Sequence, residues 1–387
     1  MVRWEYVKIG DVCTVERGGS PRPIEKFITD DPNGINWIKI GDTSDSMYIT
    51  STAQKIIPEG MKKSRYVQPG DFILSNSMSF GRPYILKIDG CIHDGWLVLK
   101  DPKNTFDKKF LYYYLSAPTT YEKFKSMAVG GVVNNLNSEM VRCVPVPVPC
   151  KDEQIQIADN LEKIDELISC RKEQLKKLDE LVKARFVEVF GDTILNPLGW
   201  DKSMLGSVCD VRDGTHDSPQ YYETGYPLVT SKNVTGGKID LTDCSLICKA
   251  DFDKINERSK VNIGDIIMPM IGTVGKPVVV DIEPNFAIKN VALIKFKTDS
   301  KVLNIYIRAL LQSDYFEDAV LSKVRGGTQK FISLGDIRKL EVLVPQLEIQ
   351  RQFVAFVEQT EKTKAEVQKS LDELETLKKS LMQKYFG

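Results

Sequence analysis

Between residues 151 and 190 apolar side chains return in steps of four and three: Ile157, Leu161, Ile164, Ile168, Leu175, Leu178, Val182 and Val189. Arg171 and Arg185 hold the two slots that the rhythm leaves open, and neither Gly nor Pro intervenes before Gly191. Heptad spacing of this kind predicts a long helix with one apolar seam, two of whose places carry basic side chains. The rhythm recurs across 347–387, on Phe353, Val357, Val367, Leu371, Leu374, Leu381 and Tyr385. Here Thr360, Lys364 and Lys378 take shifted slots where the first stretch is apolar. Polar seam positions help to set register and partner choice, at some cost in stability.

The rest of the chain alternates over much shorter runs. In residues 1–150 "DVCTVERG", "INWIKIG", "DFILSN", "YILKI" and "WLVLK" are punctuated by Gly, Pro, Asn and Asp and predict strands. "FDKKFLYYYLSAP" predicts a helix. "VPVPVP" (144–149) can be an edge strand at best, since proline cannot donate to a ladder. Residues 192–346 open on an "NPLGW" turn and repeat this plan, ending in "VPQ".

The repetition extends to single residues. "KARFVEVFG" (183–191) and "KSLMQKYFG" (379–387) place Gly191 and Gly387 196 positions apart. The same displacement joins Trp4 to Trp200, Gly10 to Gly206, Cys13 to Cys209, Gly18 to Gly214, Gly130 and Gly131 to Gly326 and Gly327, Pro149 to Pro345, and Gln154 to Gln350. It slips to 194 where "PGDFILSNSMSFGRP" (69–83) answers "IGDIIMPMIGTVGKP" (263–277), as loops of unequal length in two copies of one domain require.

A helix with one apolar stripe must bury it, and the partner at hand is its own copy. Antiparallel pairing then sets the two domains at opposite ends of a strut about 55 Å long, at ~1.5 Å per residue. The expected architecture is α+β: two tandem, pseudo-twofold-related domains separated by an antiparallel two-helix coiled coil. The first domain spans 1–150 and its helix 151–191; the second domain spans 192–346 and its helix 347–387.

Composition narrows the function. Hydrophobic residues at 42% and charged residues at 27% are ordinary for a soluble globular chain. No apolar run approaches the ~18 residues of a membrane span, and "MVRWEYVKIGD" has no signal-peptide core, so a cytoplasmic protein without membrane contact is expected. The eight cysteines form no CxxC, and Cys13 and Cys209 fall on apolar positions, which predicts core thiols. Two histidines are too few for a zinc centre or a Ser-His-Asp site. With 53 basic against 53 acidic residues the net charge is zero, so local clusters such as "LSKVRGGTQKFISLGDIRK" (321–339) carry the electrostatic argument. There is no GxxxxGK[ST], GxGxxG or HExxH. The chain reads as a binder.

Two unlike heads on a stiff strut suit DNA, whose helical turn is about 34–36 Å. The residues carry a more specific likeness. A Gly-Asp strand, a "GG" or "GT" loop, a short strand ending in Pro and a Gln-bearing helix start occur twice. They lie in "GGVVNNLNSEMVRCVPVPVPCKDEQIQIA" (130–158) and "GGTQKFISLGDIRKLEVLVPQLEIQRQFV" (326–354). This pattern is similar to the specificity subunit of type I restriction–modification systems, over essentially the whole chain. The resemblance implies a non-catalytic reader of a bipartite double-stranded DNA target. Two target-recognition domains would each hold one half-site. The helices would set the gap and dock two adenine-N6 methyltransferase (modification) subunits, and restriction/translocase subunits would join for ATP-dependent cleavage. It also implies that this chain binds no cofactor, with S-adenosylmethionine, ATP and Mg on the partners. The second helix departs from the family's Glu-Glu-Gln start, having "LEIQ" where the first copy has "DEQ".

Candidate DNA contacts follow from charge, amides and turn glycines. The foremost is "VRGGTQK", with Arg325, Thr328, Gln329 and Lys330, answered in the first copy by Asn134 and Asn135. Glycines allow close backbone approach to a phosphate, and a Gln or Asn amide can pair bidentately with adenine. "RGGSPRP" offers Arg17, Ser20 and Arg22, with His216 of "RDGTHDSP" in the place of Ser20. "SNSMSFGRP" offers Asn76, Ser77, Ser79 and Arg82; "PMIGTVGKP" offers Thr273 and Lys276. "TSKNV" adds Ser231, Lys232 and Asn233, opposite Lys39. On these residues alone, a coiled-coil scaffold whose loops bind protein, and an enzyme fused to such a reader, stand as alternatives.

Overall fold

The computed structural model describes residues 4–76, 81–128, 135–270, 276–319 and 331–387. The chain divides into two compact units, Met1–Lys172 with Ser370–Gly387, and Glu173–Lys369. Each of the two 40-residue helices, Lys151–Phe190 and Leu347–Phe386, contributes to both.

In the first unit the central sheet runs in the order Thr14–Arg17, Trp96–Lys100, Phe72–Ser75, Pro83–Leu86 and Tyr48–Ile49. Its inner strands are buried on both faces, which explains their near-continuous apolar sequences. Alternate residues serve different cores. Phe72, Leu74, Ile85, Leu97 and Leu99 pack with helix Lys108–Ser116, whereas Ile73, Tyr84, Leu86, Trp96 and Val98 pack with Ile38 and Ile92 of a second sheet. In that sheet Ile35–Ile38 runs parallel to Gly90–Ile92. "VPVPVP" forms strand Pro145–Pro147, which among the described residues pairs on one side, with Tyr6–Lys8.

The second unit repeats the plan. Asp210–Asp213, Val291–Lys295, Ile266–Pro269 and Val278–Val279 form its central sheet, and Tyr226–Val229 runs parallel to Ala287–Ile288 beside it. It differs by a helix, Lys249–Ser259, where the first copy has one turn at Pro58–Met61.

The helix pairing is antiparallel within each unit. In the first, Lys378 lies 2.5 Å from Asp165, Lys172 3.2 Å from Glu375, and Arg171 Nε donates to Ser370 Oγ at 3.1 Å. In the second, Lys364 lies 2.7 Å from Asp179 and Arg185 stands over the Phe356 ring. Ile157, Leu161, Ile164, Ile168, Phe353, Val357 and Leu371 are buried; Leu175, Leu178, Val182, Val367, Leu374 and Leu381 are half-buried. The polar seam positions have specific partners: the two lysines form the ion pairs above, and the Thr360 hydroxyl donates to Phe356 O at 2.9 Å.

The repeated endings anchor this pairing. Phe386 meets Phe110 and Tyr114 edge-on in the first unit, and Phe190 meets Tyr306 and Phe353 in the second. The start of each helix is held by the paired glutamines. Gln154 Nε2 donates to Thr105 O and Pro149 O, and its Oε1 accepts from Asp107 N. Gln350 repeats all three bonds 196 residues on, with Lys301 O, Pro345 O and Leu303 N. Both amides are buried, at 1% and 0% exposure, and fully engaged, as buried polar groups must be. Gln350→Ala should therefore cost about 1–3 kcal/mol per orphaned group, and Phe386→Ala about 3–5 kcal/mol through the cavity it leaves. Denaturant unfolding of each variant checks both; a change within error for Gln350→Ala would mean that water replaces the amide.

Cys13 and Cys209 are buried as core thiols, and burial pushes both up to about 12, with the Asp101 charge adding at Cys13. A raised pKa keeps the thiol protonated and unreactive. In the native protein near pH 8.5, iodoacetamide should label the exposed Cys143, Cys150 and Cys170 and spare Cys13 and Cys209, as peptide mapping would read out.

Candidate nucleic-acid interface

Strand Thr14–Arg17 leads into the first candidate loop, and the parallel pair Ile35–Ile38 and Gly90–Ile92 ends beside it. The backbone holds these together through three bonds: Gly18 N to Trp96 O, Gly19 N to Ile92 O, and His93 N to Ile38 O. The second copy makes the same three, Gly214 N to Val291 O, Thr215 N to Ile288 O, and Lys289 N to Val229 O. This crossing explains the matched glycines. A Cβ on Gly18 would strike the carbonyl oxygen of His93, and one on Gly214 that of Ile288, both far inside contact distance. No side chain fits there.

The side chains on this shared frame differ. In the first copy three candidates converge on one residue, Asp94: Ser20 Oγ donates to Oδ1 at 2.8 Å, Arg22 reaches Oδ2 at 3.2 Å, and Arg17 Nε donates to the carbonyl at 3.0 Å. Burial opposes ionisation of Asp94. The Ser20 bond, His93, its own backbone bond and Arg22 outweigh burial and hold the carboxyl below the usual carboxylate range. Burial lowers the neighbouring His93, which favours its neutral form, and its Nδ1 accepts from Gly95 N at 2.6 Å. In the second copy His216 lies between Asn290 Oδ1 and Asp213 Oδ2, 2.8 Å from each, and Asp213 also pairs with Arg258. The buried Lys289 donates to Ser218 Oγ at 2.7 Å. Asn290 adopts a left-handed φ of 54°. A hollow of about 180 Å³ lies between this loop and Arg258 and Lys254 of the neighbouring helix.

A second element flanks each cluster. Ile40–Asp42 and Ser231–Asn233 are single 3-10 turns closed by the same side-chain box. Lys39 N donates to Asp42 Oδ2 at 2.7 Å, and Thr230 N to Asn233 Oδ1 at 3.0 Å. Asn233 is thereby a buried cap, at 8% exposure, rather than a group offered to a base, which corrects its place among the candidates. Asn76 is corrected for the same reason: it is buried, and its amide donates to Asp94 O, so it supports the turn from within. Lys39 is half-buried with its ammonium on Gln54 Oε1, Ser231 is half-buried, and Lys232 is exposed. Arg82 is exposed, donates to Ser44 O and lies 3.6 Å from Asp45. Asn135 and Lys276 are exposed. Ser77, Ser79, Asn134, Thr273, Arg325, Thr328, Gln329 and Lys330 lie outside the described residues.

The structure thus gathers Arg17, Ser20 and Arg22 in one unit and centres the other on His216. It adds Asp94, Lys289 and Asn290, which sequence reasoning passed over. A signal was available: Ser20–Asp94 and His216–Asn290 are both separated by 74 residues, so the partners obey the same displacement as the loops. Gly18→Ala should displace the loop from the strand end. Its effect on DNA affinity should be tenfold or more, in line with contacts worth about 1–3 kcal/mol each, with the rest of the unit still folded by circular dichroism. Unchanged affinity would show that the loop does not touch DNA.

A family model described as type I restriction modification DNA specificity domain matches residues 1–180 and again 197–376. The type I restriction enzyme MjaIX specificity subunit of Methanocaldococcus jannaschii is 26% identical, the alignment covering 92% of this chain and 86% of that protein. The EcoBI specificity subunit of Escherichia coli is 20% identical, covering 99% and 85%. Two solved structures share the fold. One is a chain from a study of complex assembly and conformational transition of the type I R-M system, with TM-score 0.62, 20% identity, and 100% and 98% coverage. The other is the type I restriction-modification S subunit from M. genitalium, with TM-score 0.55, 16% identity, and 100% and 96% coverage.

Proposed function

We infer that this chain, which belongs to the family of type I restriction–modification DNA specificity subunits, reads a two-part DNA target with one half-site for each copy of its duplicated domain. Subunits of this class are non-catalytic. The observation that carries the two-part reading is the pair of matched clusters: the same backbone bonds in both copies display Asp94 with Ser20 and Arg22 in one and Asn290 with His216 in the other. One frame with two chemistries suits two different short sequences, since base edges are distinguished by their donors and acceptors. Exposed Arg17, Arg22, Arg82, Lys232 and Lys276 supply phosphate contacts, which position a protein on DNA without specifying sequence.

The chemistry in this proposal belongs to the partners. Two modification subunits methylate adenine N6 with S-adenosylmethionine, restriction/translocase subunits use ATP and Mg, and the complex acts on cytoplasmic DNA. The antiparallel seam supports a gap set by helix length: extending the paired helices should change the spacing and leave both tracts unaltered. Among the described residues no helix is long and apolar enough to cross a membrane, and no group of three His, Cys, Asp or Glu side chains could hold a metal ion.

The test uses the full chain assembled with its modification subunits and a random-sequence duplex library. Selection should enrich two short tracts separated by a fixed unspecific gap. Affinity for the enriched duplex should fall a hundredfold or more between about 50 and 200 mM salt as phosphate counterions compete. Enrichment of one contiguous tract, or of none, would overturn the two-part reading. Salt-insensitive binding through the loops to a protein would favour the scaffold alternative.

A further inference from the structure

We propose that the short turn closing the parallel strand pair, His93–Asp94–Gly95 in the first copy and Lys289–Asn290 in the second, determines the base preference of its own half-site. This rests on the DNA-reading function proposed above and deepens it by naming the specificity-determining element.

Position comes first. The residue opening each turn is fixed by the same backbone bond, His93 N to Ile38 O and Lys289 N to Val229 O. The residue closing it is fixed by another, Trp96 O accepting from Gly18 N and Val291 O accepting from Gly214 N. Between these anchors the first copy has two residues, Asp94 and Gly95, and the second has one, Asn290, so composition and length diverge inside a shared frame. Three backbone bonds of the crossing are common to both copies. Divergence at a turn between fixed points is what a reading element requires, because the scaffold need not move when the target changes.

Chemistry comes second. This turn holds side chains of the candidate loops, Ser20 and Arg22 in the first copy and His216 and Ser218 in the second. Asp94 receives Ser20, Arg22 and Arg17, and Asn76 Nδ2 also donates to its carbonyl at 2.8 Å. Asn290 faces His216, and Lys289 fastens Ser218 from beneath. The polar character of the two turns is opposed. Asp94, 44% exposed at the side chain, is an acceptor beside a histidine whose burial favours the neutral form. An exposed carboxylate in a groove accepts from cytosine N4 or adenine N6. The second turn offers an amide, which both donates and accepts and suits the adenine edge, above a buried ammonium. Asn290 holds a left-handed φ, a conformation that costs most side chains free energy and that Asn tolerates through its short amide.

Two substitutions separate the halves. Asp94→Asn preserves shape and removes charge. Asn290→Gly removes the amide and keeps the left-handed backbone at no steric cost. Each full-length variant, assembled with the modification subunits, is put through the random duplex selection and compared with the parent. Asp94→Asn should relax base preference at one or more positions of one tract by about tenfold, on the scale of contacts worth about 1–3 kcal/mol, and leave the other tract intact. Asn290→Gly should relax the other tract and spare the first. If both variants keep both preferences while the parent enriches two tracts, the turn is not a specificity determinant although the chain reads DNA. If either variant weakens binding to all sequences equally, the turn serves phosphate contact only and the inference falls. If the parent enriches nothing, the DNA-reading function itself fails, and this inference with it.

Discussion

A helix of forty residues with a single apolar stripe cannot remain alone in water, and the rest of this structure depends on how the stripe is covered. The cover is a second copy of the same helix, reversed in direction, and the reversal has a consequence for every core. The last turn of the helix that follows the first domain lies in the second unit, where Phe186 and Phe190 pack on Tyr306 and Phe353. The last turn of the other helix lies in the first unit, where Met382 and Phe386 join the core around Phe110 and Tyr114. Neither core is completed by a contiguous piece of chain. The repeated ending "FG" is thus a lock, and its two occurrences are needed because there are two cores to close.

Closing a core with a distant segment demands that the segment start from a defined place. Gln154 and Gln350 meet this demand with three buried hydrogen bonds each. The paired arginines also bond to backbone. Arg142 donates to Val15 O and Arg338 to Val211 O, and Gly10 and Gly206 lie against them so closely that a Cβ would fall 2.8 and 3.1 Å from the arginine Cβ atoms. These residues recur at the common displacement because each makes a bond to backbone, and a backbone partner is present whatever the neighbouring side chains become.

That distinction also decides what could be read before the structure. The long helices were legible from Ile157 to Leu381 because heptad spacing reports a periodic constraint acting over many turns. The sheet strands were legible because their flanking turns carry Gly and Pro. Helix Pro118–Ala128 escaped notice: its "PTTYEKFKSMA" buries Phe124 and Thr120 but shows no sustained apolar repeat. Helix Lys249–Ser259 was hidden in a region where the two copies differ in length, so comparison of copies offered no guide. In the candidate interface Arg17, Ser20, Arg22 and His216 stood out as polar residues beside turn glycines. Asp94 and Asn290 did not, because "HDGW" and "KNVA" share no residue and lie far along the chain from the loops that they hold.

Two kinds of position therefore coexist a few ångströms apart. Gly18 and Gly214 are confined by backbone, since the carbonyls of His93 and Ile288 leave no room for a Cβ, and both copies kept glycine. The side chains of His93 and Asp94 meet other side chains, and a side-chain partner can change together with its neighbour. Ser20 became His216 as Asp94 became Asn290, and Arg17 became Asp213, which pairs with an arginine supplied from helix Lys249–Ser259 instead. The charge moved from the loop to the helix while the loop stayed in place. A duplicated domain can change what it displays at such a point without rebuilding the fold, provided that the backbone crossing beneath it is held. The three hydrogen bonds common to both copies hold it.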